Sequence, residues 1–195
     1  MTYGQSPHVV VHVAVSLDGS TTGFDPDVAR FYSLARTWQE DVTLVGADTI
    51  LAQEPALTGA PRPGPDPDGP LLAVVDSRRR VREWEALRDC GHWSGVVALR
   101  ADSGQQRVDL SAALARLGEE GGARVVRVDS GGDLTGALLR AGLVDELSLL
   151  LHPCVAGGNH RWFGSAPAPA MKLGQVAAQP LDDGLVWLRY RVESR

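Results

Sequence analysis

The chain has 195 residues, of which 44% are apolar and 22% charged, with a formal net charge of −5. That length suffices to bury a core, and the ordinary balance excludes a disordered or fibrous chain. The acidic total excludes a general binder of nucleic acid or anionic membrane, and no run approaches the roughly 20 apolar residues of a membrane span.

The first predicted element is a buried strand over His8–Ser16 (HVVVHVAVS), rich in Val and bounded by Pro7 and Asp18-Gly19. Apolar residues at Val28, Phe31, Leu34, Ala35 and Trp38 then recur at helical spacing from Pro26 to about Gln39, with Asp25 as the predicted cap. Val42–Gly46 reads as a second buried strand, followed by a brief helical turn around Asp48–Ala52. Residues 59–70 (GAPRPGPDPDGP) form a stiff surface loop within one domain over residues 1–195, because strand material resumes directly at Leu71–Val75. Val96–Leu99 is a strand, Leu110–Leu117 an amphipathic helix and Ala123–Val128 a strand. Leu134–Ala141 is a helix closed by Gly142, and Leu147–Leu151 is the next strand. Lys172–Ala178 and Leu185–Val192 supply two final strands. This alternation predicts an α/β fold, with a mainly parallel sheet of about eight strands, an antiparallel C-terminal edge and helices on both faces.

In such sheets ligands gather beyond the carboxyl ends of the strands. Those ends carry Ser16-Leu17-Asp18-Gly19 with Thr22-Gly23, Gly46-Ala47-Asp48-Thr49, Asp76-Ser77-Arg78-Arg79-Arg80, and Asp129 to Gly136 (DSGGDLTG). The pair Gly131-Gly132 at a helix start suits a phosphate, since glycine lets backbone approach a ligand and the first N–H groups of a helix favour an anion. It equally suits a plain turn, and Asp133 can cap the helix instead.

The basic residues are eighteen Arg and one Lys, with four Arg between Arg78 and Arg82. Guanidinium forks match phosphate oxygens, and with Ser77 they would select NADP over NAD; the alternative is a solvated loop. The remaining candidates are weaker. Cys90 with His92 lacks the context of a nucleophile and base, and His152, Cys154 and His160 lack a metal-site spacing, so no metal is expected. His12 reads as a satisfied core histidine, and Trp84, Trp93, Trp162 and Trp187 as core or interface. Two cysteines make no disulfide framework, and Met1–Pro7 carries no leader-like pattern, so a reduced cytoplasmic protein is expected.

Taken in order, Ser16-Leu17-Asp18-Gly19, Leu44 to Ala52 (LVGADTILA), Val75-Asp76-Ser77, Gly131-Gly132 and Ala141 to Leu147 (AGLVDEL) resemble the RibD C-terminal family. These are the NADPH-dependent pyrimidine reductases of riboflavin biosynthesis, which share the dihydrofolate reductase fold. The resemblance covers roughly His8 to Gly158. It implies hydride transfer from NADPH to the opened sugar of a ribosylaminopyrimidine phosphate, or to a related heterocycle. Positioning rather than a strong acid–base dyad then carries the rate, and no catalytic residue is assigned.

On the cofactor side the resemblance implies nicotinamide near Ala14, Gly46 and Thr49, and the 2′-phosphate near Ser77, Arg78 and Arg80. It places the pyrophosphate on Gly131, Gly132, Asp133, Leu134 and Thr135. Ser16, Asp18, Gly23, Gln53, Leu57 and Ser130 are the implied substrate side. A homodimer is the inherited expectation, and 195 residues fit one reductase domain without the deaminase domain that often precedes it.

The departures fall on the substrate side. Where the family usually reads Leu-Ala-Asp-Asp-Pro-x-Leu-Thr-x-Arg, this chain has Leu51-Ala52-Gln53-Glu54-Pro55-Ala56-Leu57-Thr58-Gly59-Ala60, so Gln53 replaces an Asp and Ala60 the phosphate-binding Arg. Ser130 stands where Glu is usual, with Asp129 one residue back. The alternative function is an NADPH-binding sensor or partner protein of the same fold, without catalysis.

Overall fold

In the computed structural model, residues 6–158, 160–165 and 170–193 are described, so most of the segment Met1–Pro7 lies outside them. Contacts gather into two units, one built on Glu40–Val126 and one on His8–Gln39 with Arg127–Arg195.

The first unit is a run of parallel strands linked by helices. β2 (Val42–Gly46), β3 (Leu71–Val75) and β4 (Gly95–Leu99) lie in the order β4-β3-β2, with Leu71 opposite both Val42 and Gly95. α2 (Ala47–Thr58), α3 (Trp84–Asp89) and α4 (Leu110–Glu119) connect them. Val45, Ile50, Leu72, Val74, Val81 and Leu87 form the core, with Leu57, Trp84, Trp93 and Val96 packed against it. β5 (Val125–Val128) carries the chain into the second unit.

Asp41 fastens the lower ends of these strands. Its carboxylate accepts the N–H groups of Arg124 and Val125, its own N–H donates to the Val125 carbonyl, and its carbonyl accepts from Leu71. Burial pushes this carboxyl up, but the Val125 and Arg124 N–H donors and the Arg124 charge outweigh it and hold Asp41 below its ordinary value.

The second unit holds β1 (His8–Ser16), α1 (Val28–Ala35), α5 (Gly132–Arg140), β6 (Glu146–His152), β7 (Leu173–Pro180) and β8 (Val186–Val192). Here β1 and β6 are parallel, whereas β6–β8 and β8–β7 are antiparallel, giving the order β1-β6-β8-β7 and the predicted antiparallel edge. His12 is fully buried, and its Nε2–H donates to the Phe31 carbonyl. Nδ1 therefore accepts from the Ser148 hydroxyl, whose oxygen in turn accepts the Trp187 Nε1–H. Burial pushes His12 down to about 4, so the ring is neutral, as a satisfied core histidine should be.

Several boundaries differ from expectation, each for a local reason. The α1 cap is Asp27 rather than Asp25, its carboxylate accepting the Arg30 N–H. The turn expected at Asp48–Ala52 continues to Thr58 through Pro55, a residue that ordinarily ends a helix. Glu54, just before it, accepts the Arg82 and Glu83 N–H groups at the start of α3, a helix too short to read from periodicity. α5 begins at Gly132 rather than Leu134, and its cap is Gly131 rather than Asp133. Its C-terminus is as expected: Gly142, at φ 67°, donates to the Leu139 carbonyl while Leu143 donates to that of Leu138. Among the described residues, no helix is long and apolar enough to cross a membrane.

Candidate functional site

The predicted residues fall into one cluster in each unit. In the first, β3 ends at Val75 and the buried Asp76 organises the next turn of chain. Its carboxylate accepts the N–H groups of Arg80 (2.9 Å) and Val81 (3.0 Å), and its carbonyl accepts that of Arg79. Closing so tight a turn puts Arg79 in the left-handed region, at φ 54°. The result is a fixed loop from which Arg78, Arg79 and Arg80 project into solvent. Ser77 is half-buried, its Oγ accepting the Val108 N–H, which leaves the hydroxyl proton available to donate.

Arg80 differs from its neighbours. Its Nη1 lies 2.7 Å from Asp48 Oδ1, and this hydrogen-bonded carboxylate raises the guanidinium's pKa further. Asp48 and Thr49 lie in the first turn of α2, whose cap is the extended Gly46. Gln53 is exposed on the same helix, whereas Leu57 packs against the core.

In the second unit the turn after β1 is fastened to the segment after β6. The buried Ser16 Oγ donates to Asp18 Oδ1 (2.6 Å) and accepts the Ser20 N–H. Asp18 also accepts the N–H groups of Ala156 (3.0 Å) and Gly157 (2.9 Å), while Arg161 Nη1 donates to its carbonyl. With the Ser16 hydroxyl and then the Ala156 N–H on it, Asp18 is held down to about 2. Its carboxylate is an ionised clasp. Gly23, at φ 85°, lies against Ala156 beside this clasp.

The glycines ahead of α5 divide. A side chain at Gly131 would meet Thr21 Cγ2 at 2.8 Å, so close packing within the unit explains its absence. At Gly132 φ is 66° and a Cβ would face open space, although the N–H already donates to the Trp162 carbonyl. Thr135 is buried and its hydroxyl donates to the Ser130 carbonyl, so it braces the turn. Asp133 and Leu134 complete the first turn of α5, Ser130 is buried, and Ala14 is half-buried on β1 against the Phe31–Leu150–Leu185 cluster.

Sequence reasoning missed one group. Tyr32, exposed on α1, lies within the field of Asp129 just beyond β5. The buried Arg127 puts Nη1 3.1 Å from Asp129 Oδ2. Partial burial and the Asp129 charge push the phenol up to about 12, so it stays protonated. The available signal was the spacing of Val28 and Tyr32, which sets both off the buried stripe of Phe31 and Ala35.

Comparison with known proteins gives the family and the fold. The RibD C-terminal domain profile matches residues 7–187. The chain belongs to that family. The 2,5-diamino-6-ribosylamino-4(3H)-pyrimidinone 5′-phosphate reductase of Methanothermobacter thermautotrophicus is 31% identical over 177 residues, covering 78% of this chain and 81% of that one. Among solved structures, the Thermotoga maritima diaminohydroxyphosphoribosylaminopyrimidine deaminase/5-amino-6-(5-phosphoribosylamino)uracil reductase superposes with a TM-score of 0.67 at 16% identity. That alignment covers 96% of this chain and 57% of that two-activity protein. Dihydrofolate reductase from Enterococcus faecalis, complexed with NADP(H), gives a TM-score of 0.59 at 14% identity, covering 96% and 97%. The RibD C-terminal member therefore has the dihydrofolate reductase-like fold expected of it.

Proposed function

We propose that this RibD C-terminal protein is an NADPH-dependent reductase acting on a ribosylaminopyrimidine phosphate. The observation that carries the reading is the match, over most of both chains, to a relative named for that reduction. A bound nicotinamide supplies hydride to the carbon of the opened ribosylimine, whose nitrogen takes up a proton. The chain's own residues then serve to bind and orient.

The cofactor has a fitting element in the first unit. The arginine turn, held by Asp76, offers the Arg78 and Arg79 guanidiniums and the Ser77 hydroxyl, a donor set suited to a phosphomonoester rather than a ribose hydroxyl. With Arg80 on Asp48, Arg78 is the stronger candidate of the two arginines singled out from sequence. Gly46 and Thr49, at the start of α2, are the proposed nicotinamide-side residues of this unit.

In the second unit Ala14 has the same proposed role, and the N–H groups of Asp133 and Leu134 are the proposed phosphate donors. Ser16, Asp18, Gly23, Thr135 and Gly131 act there by shaping backbone. Ser130, Gln53 and Leu57 keep their proposed place on the substrate side.

A cytoplasmic homodimer completes the proposal. The open edge strand β7 exposes Leu173 and Val176, at 41% and 45%, which a second copy would cover. Light scattering after gel filtration measures the mass, and a monomer at micromolar concentration overturns this part.

The deciding experiment follows loss of the nicotinamide absorbance with the pyrimidine phosphate present. Turnover with NADPH and little with NADH is expected. NADPH binding without turnover would establish the non-catalytic alternative instead, and no binding would exclude both.

A further inference from the structure

Arg161 is a cation that neither the arginine turn nor the core of the second unit employs. It follows β6, and the backbone around it is fastened to the turn after β1. Ser20 and Arg161 form a bridge, the Thr21 N–H donates to the His160 carbonyl (2.9 Å), and the Trp162 N–H donates to that of Gly19 (3.2 Å). The guanidinium is held as well. Nη1 donates to the Asp18 carbonyl at 2.6 Å and lies where a Cβ on Gly19 would touch it at 3.6 Å. That bond is to a neutral carbonyl, so the positive charge stays uncompensated, and the side chain is exposed. Elsewhere in this unit Arg30, Arg127 and Arg189 are paired with Asp182, Asp129 and Glu146, whereas among the described residues no carboxylate pairs with Arg161.

This cation stands at the carboxyl ends of β1 and β6, where Ser16 and His152 are in register and α/β sheets place ligands. Apolar surface accompanies it. Leu17, whose N–H donates to the Cys154 carbonyl, is 62% exposed, and Val155, the next residue along, is 75% exposed. Exposed apolar side chains on a fixed, hydrogen-bonded turn mark a contact surface. A bare anion needs only the guanidinium, so the added apolar surface fits a phosphate attached to a ring.

We infer that Arg161 binds the phosphate of the substrate, with Leu17 and Val155 against its pyrimidine ring. This rests on the proposed reductase activity, and the relative that supports that reading is named for a 5′-phosphate. The residues so far proposed for the substrate side include no Lys or Arg, whereas a phosphate dianion calls for one. Fixing the phosphate on Arg161 also restricts where the ring can lie, which is the positioning that hydride transfer requires. The nicotinamide half of the cofactor likewise joins a ring to a phosphate, and the test separates the two.

The test measures kcat/KM for the pyrimidine phosphate and for the same compound without its phosphate, together with the NADPH Kd. The proteins compared are the natural one, Arg161→Gln, Arg161→Lys and Val155→Ser. Arg161→Gln, at an exposed position that the fold does not depend on, is expected to lower kcat/KM for the phosphate by about tenfold or more, through KM. The dephosphorylated compound and the NADPH Kd should change by less than about twofold. Arg161→Lys keeps the charge and recovers part of the loss. Val155→Ser lowers kcat/KM for both compounds alike, by about threefold; no effect on either overturns the placement of the ring. An equal loss on both compounds in Arg161→Gln would mean that the side chain only braces Asp18, and it overturns the inference, as does no loss at all. Weakened NADPH assigns Arg161 to the cofactor and overturns it too. Should neither compound be reduced, the reductase reading falls, and calorimetry with ribose 5-phosphate decides the site. Binding weakened by Arg161→Gln supports it, while unchanged binding, or none to the natural protein, overturns it.

Discussion

Arg80 and Asp48 are joined at 2.7 Å, so the arginine turn carries its own carboxylate, and both partners are solvent-exposed. An exposed pair of this kind adds little to stability, but it withholds one guanidinium from an incoming phosphate. Arg78→Ala is accordingly expected to weaken NADPH by about three- to tenfold, with NADH changed by less than about twofold. Asp48→Asn releases Arg80 and should tighten NADPH while leaving NADH alone. Fluorescence titration with both nucleotides checks this, and parallel changes in the two affinities would refute the phosphate assignment.

The buried Asp76 winds the same turn from inside. Asp76→Ala leaves the Arg80 and Val81 N–H groups without their acceptor and should cost about 3 kcal/mol in urea unfolding. NADPH-over-NADH selectivity should be lost with it, since the guanidiniums no longer project from a fixed loop. Unchanged selectivity would show that the turn's shape has no part in recognition.

His12 makes stability depend on pH. Its folded value of about 4 lies below the ordinary 6.5, so the unfolded chain binds the proton first as pH falls. The contribution is complete above about pH 6.5 and declines toward pH 4, by about 3 kcal/mol across that window. Unfolding measured at pH 7 and pH 5 should show this slope in the natural protein and a reduced one in His12→Phe. Equal slopes would mean that the ring titrates normally.

The glycines of α5 should respond differently to alanine. A Cβ at Gly136 would collide with the Phe163 carbonyl oxygen, so Gly136→Ala must displace the segment after β6 and is expected to cost about 2–3 kcal/mol. Gly132→Ala meets no neighbour and should cost about 1 kcal/mol for its positive φ alone. Thermal melts of the two variants rank them, and a reversed order would contradict the packing described.

Much of this protein is set by local sequence. Runs such as His8–Ser16 and Leu71–Val75 can satisfy their apolar side chains only in buried strands, and the residues ending them are those that turn a chain. Gly142 sits where an α-helix needs a left-handed residue to stop, and the ordered motifs from Ser16 to Leu147 are enough to place the chain in its family. What these residues do with their hydrogen bonds was not legible. Asp18 reads as a candidate ligand group until its carboxylate is found on the Ala156 and Gly157 N–H groups, and Gly131 reads as a phosphate glycine until Thr21 is found against it. The tie of Arg80 to Asp48 joins residues far apart in the chain. Sequence by itself determined the elements, their order and the family, because those follow from short-range patterning of apolar and turn-forming residues. Only the tertiary structure decided which polar groups are already satisfied and which still face outward, because a donor's partner is fixed by proximity in space.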